Sequence, residues 1–179
     1  EDDILIKREN IEYWINGREI LRNLNLYPSF LRVEKKNGDE HWYSSDALTI
    51  SYAKHLPIVN VLDTNYSFLN LPYPYQGMYF YDRELMAEYL NSAAHNPDSG
   101  SKWLIRERAN QGLTFFNFPD GFISRNVIGF DIKNKMIDSR ALIHHLPNTY
   151  ANHQDKTMIN GSIKVNELIV GDFENILHL

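Results

Sequence analysis

Apolar positions Ile4, Ile11, Trp14, Ile15 and Leu21 fall near one face of a helix over residues 3–24, with Lys7, Arg8, Glu12, Arg18 and Arg22 spread elsewhere. Gly17 interrupts that span at a cost of about 1 kcal/mol relative to alanine, and Asn25 with Pro28 closes it. Residues 31–46 then read as a hairpin. Strand-favouring residues flank Asn37-Gly38, the pair that supplies the two positive-φ positions of a type I′ turn. Residues 47–52 and 58–62 are short apolar extended segments. Residues 65–81 carry Pro72 and Pro74 among seven aromatics from Tyr66 to Tyr81, a composition that argues against a helix and for an aromatic-rich loop ending in a short strand.

The second half repeats this vocabulary. Asp82 is placed to cap a helix whose stripe is Leu85, Met86, Tyr89 and Leu90. After a loop over residues 95–101 and an undecided stretch over 103–107, residues 113–118 and 122–132 form two β-rich runs. Pro119-Asp120-Gly121 joins them as a tight turn and predicts a second hairpin. Asp138 predicts another cap, for a helix burying Leu142, Ile143 and Leu146 and stopped by Pro147. Residues 148–156 read as an exposed loop, and Asn160-Gly161 marks a third turn within a strand-rich tail.

Composition narrows the class. A chain of 179 residues, 43% hydrophobic, is long enough to bury one real core. Its formal charge of −5, without Lys/Arg clusters, offers no field for phosphates, so nucleic acid is not an expected partner. The absence of Cys removes disulfides, thiolate catalysis and Cys-ligated metals, and suits an exported protein. The opening Glu1-Asp2-Asp3, without Met or signal peptide, reads as a processed or excised segment.

Candidate chemistry is sparse. The adjacent His144 and His145 would point about 100° apart on a helix, a poor geometry for a shared metal, and they read as surface residues near a helix C-terminus. No nucleophile elbow, phosphate loop or zinc-binding helix motif occurs, so no catalytic residue, metal site or cofactor is expected and the chain reads as a non-enzyme. Eleven Tyr suggest a lined pocket, although strand and core filling competes as an explanation. The best constellation is Tyr75, Tyr79 and Tyr81 with Trp103, Arg106 and Arg108, where rings would enclose an apolar ligand and guanidinium forks would pair with a carboxylate.

The element order is helix, hairpin ending in Tyr43-Ser44-Ser45-Asp46, variable middle, helix, then a strand pair ending in Val127-Ile128-Gly129-Phe130-Asp131-Ile132. Over residues 3–146 it resembles a PAS-like or Cache sensor domain of bacterial membrane signalling proteins. The resemblance implies an α+β fold, an antiparallel sheet with an N-terminal amphipathic helix and flanking helices. It divides the chain into that helix (1–24), a sensor core (30–146) and a strand-rich extension (147–179). It also implies a periplasmic or extracellular location on an inner-membrane parent, a small-molecule ligand or periplasmic protein partner, and a homodimer through the N-terminal helix. The family's amine-binding signature is missing, since Trp103 precedes Arg106 and no Tyr follows Trp103, so the ligand class does not transfer. Two other readings compete: a secreted or surface-assembly component such as a phage tail or adhesin part, and a small hydrolase or toxin with a site assembled from distant residues. The sensor reading predicts apolar spans of about 20 residues on both flanks of the segment in its full-length gene. Reading that gene checks it, and flanks without such spans would remove the sensor assignment.

Overall fold

In the computed structural model the described residues are 2–52, 56–96, 111–155 and 157–169, of which Ser51 and Tyr52 are described by backbone alone. Among the described residues, two α-helices bounded at both ends and two curled mixed sheets make an α+β fold. Helix α1 (Arg8–Leu21) forms inside the expected span 3–24, whose first residues instead make a strand at Ile4–Leu5; it buries Tyr13, Trp14, Gly17, Arg18 and Leu21, while Ile11 and Ile15 of the expected stripe stay exposed. Asn10 fixes its start: its side-chain oxygen accepts the Lys7 amide at 2.7 Å, while its NH2 donates to the carbonyls of Arg140 and Leu142. A 3-10 turn (Arg22–Leu24) follows, and Asn25 ends it in the left-handed region at φ 56°.

One sheet has the order β1 (Ile4–Leu5), β10 (Leu142–His145), β3 (Leu31–Lys35), β4 (Trp42–Ser44). The other has the order β2 (Tyr27–Pro28), β8 (Asn126–Asp131), β7 (Thr64–Asn70), β5 (Ser51–Tyr52), with β6 (Val59–Val61) on β7 and β9 (Met136–Ile137) on β8. Each sheet holds one parallel pair, β10 with β3 and β2 with β8, where a single antiparallel sheet was expected.

The first hairpin is present, with Val33 opposite Ser44 and Lys35 opposite Trp42. Its connection is longer than the type I′ turn predicts, running over residues 36–41. Only Gly38 has positive φ, at 77°, and the Asp39 amide bonds the Lys36 carbonyl, while the Asn37 amide is taken by Asn152. The two-residue turn with two positive φ values lies instead at Leu62 (49°) and Asp63 (62°), joining β6 to β7. Neither residue announces it.

Three other expectations are corrected. The second hairpin does not form: residues 113–118 are turns, and β8 pairs antiparallel with β7, Tyr66 opposite Asp131 through Asn70 opposite Val127. Strand β7 thus occupies part of the expected aromatic loop, and the prolines only end it. Asp138 caps a 3-10 turn (Ser139–Ala141), and a strand follows in place of the helix. Burial over Leu142–His145 alternates, with Ile143 and His145 inside, which is the period of a strand. His145 is therefore buried rather than on a surface helix. Within 157–169, the tail contributes a 3-10 turn (Val165–Glu167) and isolated bridges from Lys164 to Tyr43 and Ile169 to Ile50, in place of extended strands.

The core is aromatic. Tyr13, Phe30, Tyr66, Phe68 and Phe130 are all but fully buried. Tyr13 accepts the Gly129 amide and donates to the Ser29 carbonyl, so its hydroxyl is paired inside apolar surroundings. Gly17 faces Pro28, and a Cβ there would stand 3.0 Å from the ring Cγ. Gly17→Ala is therefore expected to lower the urea midpoint, because overpacking against a rigid buried ring costs about 1–3 kcal/mol and outweighs the gain of about 1 kcal/mol in helix propensity. A raised midpoint would show that the helix yields instead.

Candidate functional site: an aromatic groove between two helices

Helix α2 (Arg83–Leu90) begins at Asp82, whose Oδ1 accepts the Leu85 amide at 2.8 Å. Within α2 only Leu85 is buried, so packing alone does not place this helix. Two guanidinium groups do. Arg18 of α1 donates to Asp82 at 2.8 Å and reaches Glu84 at 3.4 Å. Arg125, 1% exposed, donates to Glu88 at 2.6 Å and to the Asn25 carbonyl, and lies 5.5 Å above the Tyr27 ring. Buried guanidinium groups without partners would be costly, so these pairs fix α2 at both ends. Burial pushes the Asp82 carboxyl up, but the Leu85 amide and Arg18 outweigh it and hold the group below its ordinary value.

Facing α1 and α2 is the run Tyr79, Phe80, Tyr81. The Phe80 ring meets Trp14 and Phe30 edge-on at 5.9 and 5.3 Å, and Tyr81 meets Tyr27 at 6.1 Å and Tyr89 at 5.9 Å. The phenols are engaged away from solvent: Tyr79 donates to the Pro74 carbonyl, and Tyr81 accepts the Leu113 amide at 2.7 Å. Burial pushes the phenols of Tyr79, Tyr81 and Tyr27 up, so they stay neutral.

Together these parts frame an open groove of about 660 Å³. Ile11, Trp14 and Ile15 come from α1, Met86 and Tyr89 from α2, and Tyr79, Phe80, Tyr81 and Gly112 complete the lining. Ile11 is 44% exposed, Ile15 57% and Met86 43%, so apolar surface stands open to solvent. A groove of this size and lining can hold a small apolar or ring-bearing molecule. A second depression lies over Asn37, Asn148 and Asn152, but the Asn148 and Asn152 side chains already hold backbone and side-chain partners, the Asn37 backbone amide among them. Among the described residues no group of three His, Cys, Asp or Glu side chains is arranged to hold a metal ion.

Of the residues singled out from sequence, Tyr79 and Tyr81 line the groove together, their rings 6.5 Å apart. Tyr75 is not among the residues that line the groove, and its ring lies 5.3 Å from the Arg32 guanidinium. Trp103, Arg106 and Arg108 lie outside the described residues. Sequence reasoning missed the α1 wall, because Ile11, Trp14 and Ile15 share the face read as core. The available signal was Ile11 and Ile15 at i, i+4 beside the buried Trp14, a stripe wider than one helix face needs.

Comparison with protein-family models, with curated proteins and with solved structures returns no match. The groove's own geometry therefore carries the functional reading.

Gly112 stands at φ +49°, and a Cβ there would lie 2.0 Å from the Tyr81 hydroxyl. Gly112→Ala must displace that hydroxyl from the Leu113 amide and strain the backbone. The expected loss is about 1–3 kcal/mol, read as a lower denaturant midpoint. An unchanged midpoint would mean that the Tyr81 anchor does not set the groove wall.

Proposed function

We propose that this protein is a binding module of the extracytoplasmic sensor type, taking an uncharged ring-bearing or apolar small molecule in the groove between α1 and α2. The supporting observation is that α1 forms one wall of the groove through Ile11, Trp14 and Ile15. In a sensor, the N-terminal helix is the element that passes a signal onward, so a ligand seated here touches the transmitting element directly. Binding would favour the arrangement of α1 that closes on the ligand, a population shift whose size equals the ligand's differential affinity for the two arrangements. The ligand class follows from the lining. Phenol hydroxyls turned to backbone partners leave ring faces and aliphatic side chains to make the contacts. No helix among the described residues is long and apolar enough to cross a membrane, so an anchor of the parent chain would lie elsewhere.

Titration with the uncharged apolar fluorophore N-phenyl-1-naphthylamine tests the groove, followed by competition with indole. Ile15→Glu puts a charge on an exposed wall position and should leave the fold intact, while weakening fluorophore binding by about tenfold or more, since each 1.4 kcal/mol is a factor of ten. Equal binding by the variant and the parent would sink the assignment of the groove.

A further inference from the structure

Outside the groove lining, His145 of β10, opposite Ile4 of β1, is 6% exposed and sits between two carboxylates. Its Nδ1 faces the Glu34 carboxylate and its Nε2 lies 3.3 Å from Asp3 Oδ2. Glu34 is fully buried, and its other oxygen accepts the Ala151 amide at 2.6 Å. The other Asp3 oxygen is buried without a hydrogen-bond partner. Over the imidazole lies the Tyr150 ring, at 5.6 Å, which also meets the Arg32 guanidinium at 5.7 Å. Arg32 is engaged by both oxygens of Asp46. The neighbouring His144 is hydrogen-bonded to Asn148.

Carboxylates facing both ring nitrogens, one hydrogen-bonded at Nδ1 and one in ion-pair contact at Nε2, favour the imidazolium, because the neutral ring has a single N–H and leaves a lone pair facing a carboxylate. We infer that protonated His145 is a pH-sensitive latch that holds β1, the strand leading into α1, against the sheet. The argument is independent of what the groove binds.

The weak side of the latch is identifiable. Glu34 is enclosed and also fixed by Ala151, whereas the Asp3 side chain is 39% exposed. When His145 loses its proton, the remaining N–H stays with the enclosed Glu34, and Nε2 then presents a lone pair to Asp3. Asp3 gains by turning to water. β1 is a two-residue strand paired with β10, Ile4 opposite His145 and Leu5 opposite His144; Ile4 is half-buried against the core and Leu5 is 41% exposed, so its N-terminal end is the part the latch holds. The Asp3 carbonyl accepts the Leu146 amide at 2.9 Å, so opening of the latch exposes that amide. Docking favours the protonated ring, so protection is greater at low pH and falls as pH rises.

Amide hydrogen exchange on the full chain, corrected for intrinsic rates, tests this at Leu146 between about pH 5.5 and 8. In the wild type, protection of Leu146 is expected to fall about tenfold or more across that range. The β7–β8 amides should keep theirs. Asp3→Ala removes the exposed carboxylate without touching the buried pair or supplying a donor for the neutral ring, and should leave Leu146 weakly protected at every pH; His145→Gln should also abolish the pH dependence. Wild-type protection that does not change with pH overturns the latch. So does a pH dependence that survives intact in Asp3→Ala, which decides the matter even where His145→Gln fails to fold.

Discussion

One stretch of backbone, residues 27–35, belongs to both sheets, and the rest of the molecule is arranged around it. Its first part, β2, runs parallel to β8, and its second, β3, runs parallel to β10. Between them the chain has two residues whose amides must still be paired inside the protein. Ser29 donates to the Val127 carbonyl at 2.8 Å, and Phe30 donates to the buried Gln76 side chain at 2.7 Å. Buried backbone groups left without partners are costly, so this crossing fixes how the sheets meet and where the run after β7 must pass. Phe30 and Tyr27 then support Phe80 and Tyr81 from beneath, and the groove inherits its wall from that contact.

The molecule holds its outer parts with buried ionic groups more than with apolar packing. Arg18 and Arg125 secure α2, Arg32 pairs with Asp46, and Arg140 pairs with Asp138, which also accepts from Tyr66. Directional pairs of this kind define position without covering surface. That is why α2 can sit firmly while Met86 and Leu90 remain open to solvent. β1, a short strand paired with β10, carries a similar polar contact at its start, where Asp3 meets His145. A groove wall and a strand leading into a groove wall thus both carry polar contacts at their ends.

Local rules served where the causes are local. The α1 helix, the Asn25 terminus, the Asp82 cap and the hairpin strands around Gly38 each depend on residues within a few positions, and each stands inside the span that the spacing gives. They failed where the partner is remote. Leu142–His145 has a helical-looking apolar spacing, but a free edge of β3 made it a strand. Residues 113–118 look strand-like, yet β8 found its partner in 64–70, and the tight turn at Leu62-Asp63 carries neither Gly nor Asn. Half of the groove was visible in the same way: Tyr79 and Tyr81 stood out by composition, while the α1 wall was hidden among residues that look like core.

By itself the sequence determined the class, an α+β chain with one aromatic core and no thiol chemistry, because hydrophobic content, cysteine count and the periods of helix and strand are properties of the chain alone. The tertiary structure alone decided which strands pair, which apolar side chains stay exposed, and that His145 is enclosed between Glu34 and Asp3. Those outcomes depend on contacts between residues as far apart as 34 and 145, and no local preference encodes a partner that distant.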